Sequence, residues 1–236
     1  MITLKQHIEL MSHISSGGDL EKYVDSLETL EKLTFISYFE DVYPVQDNMV
    51  WSEDIDAERN VYTSVDSLVL GQFIMLEQII TGKTELPDHL IDLEILKLII
   101  RPKEDETFDN DSVEKEMENE EYILNCDVRF AYAILDRYIN NRNKTLFQDF
   151  AGVFYEPNDD EDEDEESAKN RTAEMMFNHQ WYWYSIVRML SGEDVHRYEK
   201  TYLLPMRVVL PEMSFLAQKN KIEAAKQREQ EVMRKL

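Results

Sequence analysis

The chain has 236 residues, a hydrophobic fraction of 43% and a formal charge of −24 at pH 7. Its apolar and aromatic content supports a packed core and excludes wholesale disorder, while 6 Gly and 6 Pro are too few for a many-turned β-sandwich or barrel. So negative a charge argues against sequence-independent nucleic-acid binding, which needs clustered Lys and Arg, and against contact with anionic lipid heads.

Met1 to His7 carry no signal-peptide pattern, and no apolar run in the chain reaches the ~18 residues of a membrane span. A reducing cytoplasm is the expected place of synthesis. Residues 3–14 show a short helical pattern that ends near Ser15-Ser16-Gly17-Gly18. Asp19 then caps a stronger one, in which Leu20, Tyr23, Val24, Leu27, Leu30, Leu33 and Ile36 recur at threes and fours to about Glu40. From Asp41 to Thr63 the pattern breaks, and Pro44, Val45, Val50, Trp51, Val61 and Tyr62 suit a loop or a short hairpin.

Ser64 to Gly82 reads as helix, with Leu68, Phe73, Leu76, Ile79 and Ile80 inward and Gly82 as its stop. Pro87 suits the first turn of the next helix, where Leu90, Leu93, Leu96, Ile99 and Ile100 line one face until Arg101-Pro102. The short joint between these two helices predicts an antiparallel pair. Residues 103–121 are polar, acidic and weakly patterned. Asn125 or Asp127 opens a further helix with Val128, Ala131, Ile134, Leu135 and Tyr138 on one face; Asn140-Asn141-Arg142-Asn143 reads as a break. Leu146, Phe147 and Phe150 then make a further short helix ending near Phe154.

Asp159 to Glu166 are all acidic, and their mutual repulsion favours an extended, solvated loop over residues 158–168. Helix resumes from Lys169 to Leu190, followed by a Gly192-Glu193-Asp194 turn and a segment Val195–Thr201. Pro205 starts the last helix, and Pro211 either kinks or divides it. Beyond Lys219 that helix is polar on most faces, so it projects into solvent or needs a partner. From Trp181 to Leu236, ten Lys and Arg stand against seven Asp and Glu, a net of +3, and the first 180 residues carry −27. The expected fold is mainly α: one irregular helical domain of about six to eight helices, with a C-terminal helical arm and possible room for one short β-hairpin. Along the chain it divides into an acidic body (1–157), the acidic loop (158–168) and an aromatic helix plus charged arm (169–236).

No catalytic constellation stands out. The acidic run lacks the Gly bend and closing Glu of a calcium loop, and Asn170 occupies the closing position. His7, His13, His89, His179 and His196 are scattered without zinc spacing, and no nucleophile elbow, phosphate loop or dinucleotide fingerprint occurs. Cys126 alone rules out an internal disulfide and suits a small buried residue better than an activated thiol. No metal, cofactor or enzymatic activity is expected. The informative cluster is Trp181-Tyr182-Trp183-Tyr184: four successive positions exceed one helical turn, so these side chains cannot share one face.

The segment from Trp181 through Ile186-Val187-Arg188-Met189-Leu190-Ser191-Gly192-Glu193-Asp194-Val195 to Tyr198 resembles the end of phage tail or baseplate assembly chaperones. In those proteins an aromatic helix leads into a "Leu-x-Gly-Asp"-like turn; here Glu193 is inserted between Gly192 and Asp194. Leu70-Gly71-Gln72-Phe73-Ile74 with Leu98-Ile99-Ile100-Arg101-Pro102 is similar to a second pattern of acidic phage proteins, including ring and connector proteins of Bacteroidetes-infecting, crAss-like phages. The resemblance covers about half of the chain and brings no catalytic residues. It implies a non-enzymatic protein working through protein–protein contacts in tail or head–tail assembly, either a transient chaperone or a permanent ring or connector subunit between portal and tail. Phage structural or tail proteins, or further copies of the chain in a ring, are the implied partners, in the host cytoplasm or the virion. On surface chemistry, Trp181, Trp183, Tyr184, Met206 and Val209 are the contact candidates, with Arg197, Arg207, Lys219 and Lys221 forming a side that meets an acidic neighbour. A third reading, an acidic DNA mimic, uses the charge directly but fits poorly with acids concentrated in one loop.

Overall fold

The computed structural model describes residues 3–18, Tyr23, 59–103, 113–154 and 181–235. Tyr23 apart, the helix expected over residues 19–40 lies outside these residues, as do the acidic loop and the start of the aromatic helix. The fold is mainly α with one short two-stranded antiparallel sheet, as the patterning predicts. The elements are α1 (Leu4–Ser15), β1 (Arg59–Val61), α2 (Leu70–Ile80), α3 (Asp88–Ile99), β2 (Ile100–Pro102), α4 (Val113–Leu124), α5 (Val128–Lys144), α6 (Ala151–Phe154), α7 (described over 181–190), α8 (Tyr198–Tyr202) and α9 (Met206–Lys235). Short 3₁₀ turns cover Val65–Ser67 and Val195–Arg197.

The chain clusters into two compact units. One comprises residues 1–63 with 75–140, the other 64–74 with 141–236. The Asn-rich stretch at 140–143 is where one unit gives way to the other, but it does not break the helix: α5 runs on to Lys144. Arg142 is buried there, donates to Asn143 Oδ1 at 2.8 Å and stacks over Phe147, which outweighs the modest helix propensity of three Asn.

In the first unit, α1 opens with a reciprocal cap: Gln6 N–H donates to Thr3 Oγ1 at 3.3 Å, and Thr3 N–H donates to Gln6 Oε1 at 3.1 Å. This helix packs on α3 and α4, and Leu4 N–H donates to Cys126 O at 3.0 Å. Leu93, Leu96 and Ile99 of α3 and Val128, Ala131, Ile134, Leu135 and Tyr138 of α5 are buried, so the three-four spacing identifies these faces. Pro87 sits one residue earlier than expected, as the extended N-cap of α3.

Two expectations change here. The polar stretch before Asn125 contains α4, whose inner side is Asn119 and Ile123 with Glu118 and Glu121 outside. A buried Asn in place of an apolar residue erased the periodic signal. The sheet is also assembled at longer range than a hairpin: Arg59, Asn60 and Val61 pair with Pro102, Arg101 and Ile100, on the far side of α2 and α3 in the sequence. Asn119 locks this pairing, its Nδ2 donating to Ile100 O at 2.9 Å while its Oδ1 accepts from Arg59 Nη1 at 3.3 Å.

In the second unit, Val69 and Pro205 form an antiparallel bridge, Leu70 N–H donates to Leu204 O at 2.8 Å, and Met206 N–H donates to Leu68 O at 2.8 Å. Pro205 has no N–H to offer, so its neighbours carry the ladder and fix where α9 begins. Gly71 permits the approach of residue 202; a Cβ there would stand 3.3 Å from the Tyr202 carbonyl oxygen. α9 packs on α6 and on the Val65–Ser67 turn, and passes through Pro211 as one continuous helix. Phe147 is exposed, because Thr145–Asp149 form a π-helical turn closed by Phe150 N–H to Thr145 O at 2.9 Å. The wider turn rotates Phe147 outward and leaves Leu146 buried.

Candidate functional site

The first unit contains a polar chain linking three helices. Tyr132 hydroxyl donates to Asp92 Oδ2 at 3.0 Å and lies 3.0 Å from His7 Nε2. A hydroxyl has one proton, so the imidazole must donate from Nε2, which defines its tautomer. Burial lowers the His7 pKa below its ordinary value and outweighs the opposing pull of Asp92, favouring the neutral ring. Nearby, burial pulls the Lys97 ammonium down, but hydrogen bonds to Glu120 and Glu94, both at 3.0 Å, hold it above the ordinary value. These groups tie helices together.

A depression of about 630 Å³ on the same unit is lined by Arg59, Glu118, Glu121, Tyr122, Asn125 and Cys126. The Arg59 guanidinium lies 4.6 Å from the Tyr122 ring centroid, and Cys126 Sγ donates to Tyr122 O at 3.4 Å. Cys126 is half-buried with its thiol engaged by that carbonyl. Among the described residues no three His, Cys, Asp or Glu side chains are grouped to hold a metal, and no described helix is long and apolar enough to cross a membrane.

The second unit carries the surface singled out by the sequence. The four aromatics of α7 divide between two faces, as helical geometry requires. Trp183 meets Phe73 edge-on, with ring centroids 5.3 Å apart, and lies 6.2 Å from Phe154. Tyr182 packs 4.9 Å from Trp183, and burial pushes its phenol pKa up to about 12. Trp181 and Tyr184 face out, 41% and 45% exposed, and contact each other edge-on at 5.6 Å. Tyr184 also meets Tyr198 at 5.9 Å. Two rings thus anchor the helix to its unit while two remain available.

The turn after α7 is stapled at its end. Gly192 N–H donates to Met189 O at 3.1 Å, and Glu193 N–H to Arg188 O at 2.9 Å, closing a Schellman motif. Both residues are left-handed, with φ of 69° and 64°, so the inserted Glu193 takes a conformation that normally favours Gly. Asp194 then caps the 3₁₀ turn through His196 N–H at 3.0 Å and pairs with Arg197 at 3.2 Å.

Of the contact candidates, Trp181, Tyr184, Arg197, Arg207, Lys219 and Lys221 are exposed, and Trp183 is half-buried against Phe73. Met206 and Val209 are corrected: both are buried, because the Leu68–Leu70 pairing sets the phase of α9 and turns them inward with Leu210 and Met213. The basic residues do not make one side either. Lys219 and Lys221 are two positions apart, which on a helix puts them about 160° from each other. Among the described residues of α9, Val208, Phe215, Ile222 and Met233 are large apolar side chains left exposed; none of them is among the contact candidates. Their recurrence at steps of seven and eleven was the available signal.

Comparison with protein-family models, characterised proteins and solved structures gave no match.

Proposed function

We propose that this chain is a non-enzymatic phage protein that acts through protein–protein contacts in tail or head–tail assembly, in the manner of a tail or baseplate assembly chaperone. What carries the reading is the second unit's outward apolar chemistry: Trp181 and Tyr184 stand exposed on a helix anchored by Trp183 and Tyr182. Exposed rings on a rigid support suit recognition of another protein, since they bring large contact area with few rotors to fix. The resemblance of residues 181–198 to tail-assembly proteins points to the same class. Its partner is another phage structural or tail protein, met in the host cytoplasm; the acidic bulk keeps the free protein soluble until then.

Co-expression with phage tail proteins tests the reading. The chain is expected to raise the soluble fraction of one of them and to be missing from purified virions. Replacing Trp181 and Tyr184 together by Ala should reduce the solubilising effect while leaving the circular dichroism unchanged. Presence in virions at ring stoichiometry would overturn the chaperone in favour of a permanent connector subunit. No effect on any tail protein, with no place in the particle, would remove both.

A further inference from the structure

The terminal helix has two apolar faces. Met206, Val209, Leu210 and Met213 are buried, whereas Val208, Phe215, Ile222 and Met233 are 54%, 60%, 56% and 69% exposed. At about 100° per residue the exposed set falls within an arc of about 40°, and its centre lies about 170° from that of the buried set. The inner face ends at Met213; the outer one continues to Met233.

Charges complete the outer line. Glu212, Lys219, Lys226 and Glu229 fall between the apolar residues so that steps of four and three alternate from Val208 to Met233. That is the spacing of a coiled-coil seam. In the two registers that align its whole length, the seam is a poor match for itself. In a parallel pair of copies, Lys219 meets Lys219, Lys226 meets Lys226 and Glu212 meets Glu212. In the antiparallel register that seats Val208 on Met233, Glu212 meets Glu229, while Phe215 and Ile222 each face a Lys. Charges at seam positions select a partner by penalising the wrong one. An anionic membrane is also unsuitable, because the remainder of this strongly acidic chain is repelled by it.

We propose that the outer face of α9 is a docking seam for a helix of a different protein, apolar opposite Val208, Phe215, Ile222 and Met233 and acidic opposite Lys219 and Lys226. This rests on the reading of the chain as a contact protein and specifies the chemistry of what it contacts. Among the described residues Lys219 is held by a 3.9 Å pair with Glu223 on its own helix, which an incoming carboxylate can replace. A helix in this seam covers apolar side chains that the fold leaves in water.

The full chain can be titrated, by fluorescence anisotropy, into a labelled peptide of about four heptads with Leu facing the apolar positions and Glu facing the two lysines. A twin peptide carries Lys in place of those Glu. The acidic peptide should bind at least tenfold more tightly than its twin, and Lys219→Glu with Lys226→Glu should reverse the order. Phe215→Asp with Ile222→Asp should abolish binding with circular dichroism and urea midpoint unchanged, since both positions are exposed. Equal binding of the two peptides, or of neither, overturns the seam. So does self-association in light scattering that Phe215→Asp removes, which makes a second copy the occupant. Uptake onto phosphatidylserine vesicles through the same residues overturns it too. If the seam fails while the chain still solubilises a tail protein, the assembly reading stands without it; if the acidic peptide binds but no tail protein responds, the seam stands and that reading falls.

Discussion

The two units dispose of their apolar side chains differently. Among the described large apolar residues exposed to water, Met11, Ile14 and Met117 belong to the first unit, and Phe147, Trp181, Tyr184, Met189, Val195, Tyr202, Leu203, Val208, Phe215, Ile222 and Met233 belong to the second. The first unit also carries long-range polar connectors, with buried Asn119 holding a strand pair and half-buried Tyr132 joining His7 to Asp92. Burying paired polar groups specifies one arrangement but offers little for a partner to grip. Leaving apolar area in water costs solubility, and a surface of that kind is usually explained by something that covers it. Among the described residues, exposed apolar area is therefore concentrated in the second unit.

The largest effect expected from breaking this division is in the second unit's own core. Phe73 is fully buried and meets Trp183 edge-on, so Phe73→Ala should cost about 3–5 kcal/mol through lost transfer energy and a cavity. Phe215→Ala on the outer seam should stay within about 0.5 kcal/mol. Urea unfolding followed by tryptophan fluorescence checks both, because Trp183 reports directly on Phe73. Equal costs at the two positions would mean that Phe215 has a partner inside the fold, and the contrast between inner and outer faces would collapse.

The first unit is expected to fail through its connectors. Asn119→Leu removes the donor to Ile100 O and the acceptor for Arg59, leaving a carbonyl and part of a guanidinium to desolvate without compensation. A loss of about 1–3 kcal/mol should appear as a lower urea midpoint by circular dichroism. A neutral or stabilising outcome would show that the polar clamp contributes nothing beyond its volume.

How much of this was legible in the sequence depended on whether burial is apolar. The face Val128, Ala131, Ile134, Leu135 and Tyr138 was readable because every inward position is hydrophobic. α4 was not, since Asn119 occupies an inward position. In the sequence β2 resembles a helix end because Ile100 is apolar like the residues before it, and its pairing partner at Arg59–Val61 is remote. At the candidate surface, helical geometry was enough to predict that Trp181 to Tyr184 would divide between faces. It could not decide between Val208 and Val209: adjacent valines are equivalent until the Leu68–Leu70 pairing fixes the first residue of α9. Steps of seven and eleven in one helix became meaningful only once its inner face was known.

A smaller effect should appear as pH dependence. The His7 pKa is lowered in the fold, chiefly by burial, so below its ordinary value near 6.5 the unfolded chain takes up the proton more readily. Stability contributed by the neutral ring is complete above that pH and is lost as pH falls through the folded value. The urea midpoint of the first unit should therefore drop between about pH 7.5 and pH 5. His7→Gln should flatten that part of the curve, at a constant cost from the altered link to Tyr132. An unchanged pH profile in the variant would assign the acid sensitivity to carboxylates.

The smallest effect concerns the turn that presents the aromatic helix. A Cβ at Gly192 meets nothing within 4 Å, so the only penalty of Gly192→Ala is the left-handed backbone at φ 69°. That penalty is about 1–2 kcal/mol for an ordinary residue, and Asn tolerates the region better. The order of stability should be Gly192, then Gly192→Asn, then Gly192→Ala. Both hydrogen bonds of the Schellman motif come from backbone N–H groups that the substitutions keep, so no difference in pairing is expected. If Asn and Ala were equally damaging, the strain would not lie in φ, and the inserted Glu193, already at φ 64°, would be the residue that sets the geometry. Glu193→Gly then becomes the decisive variant: it should raise stability if Glu193 carries the strain, and lower it if the exposed pair with Arg188 at 3.3 Å is worth more than the relief.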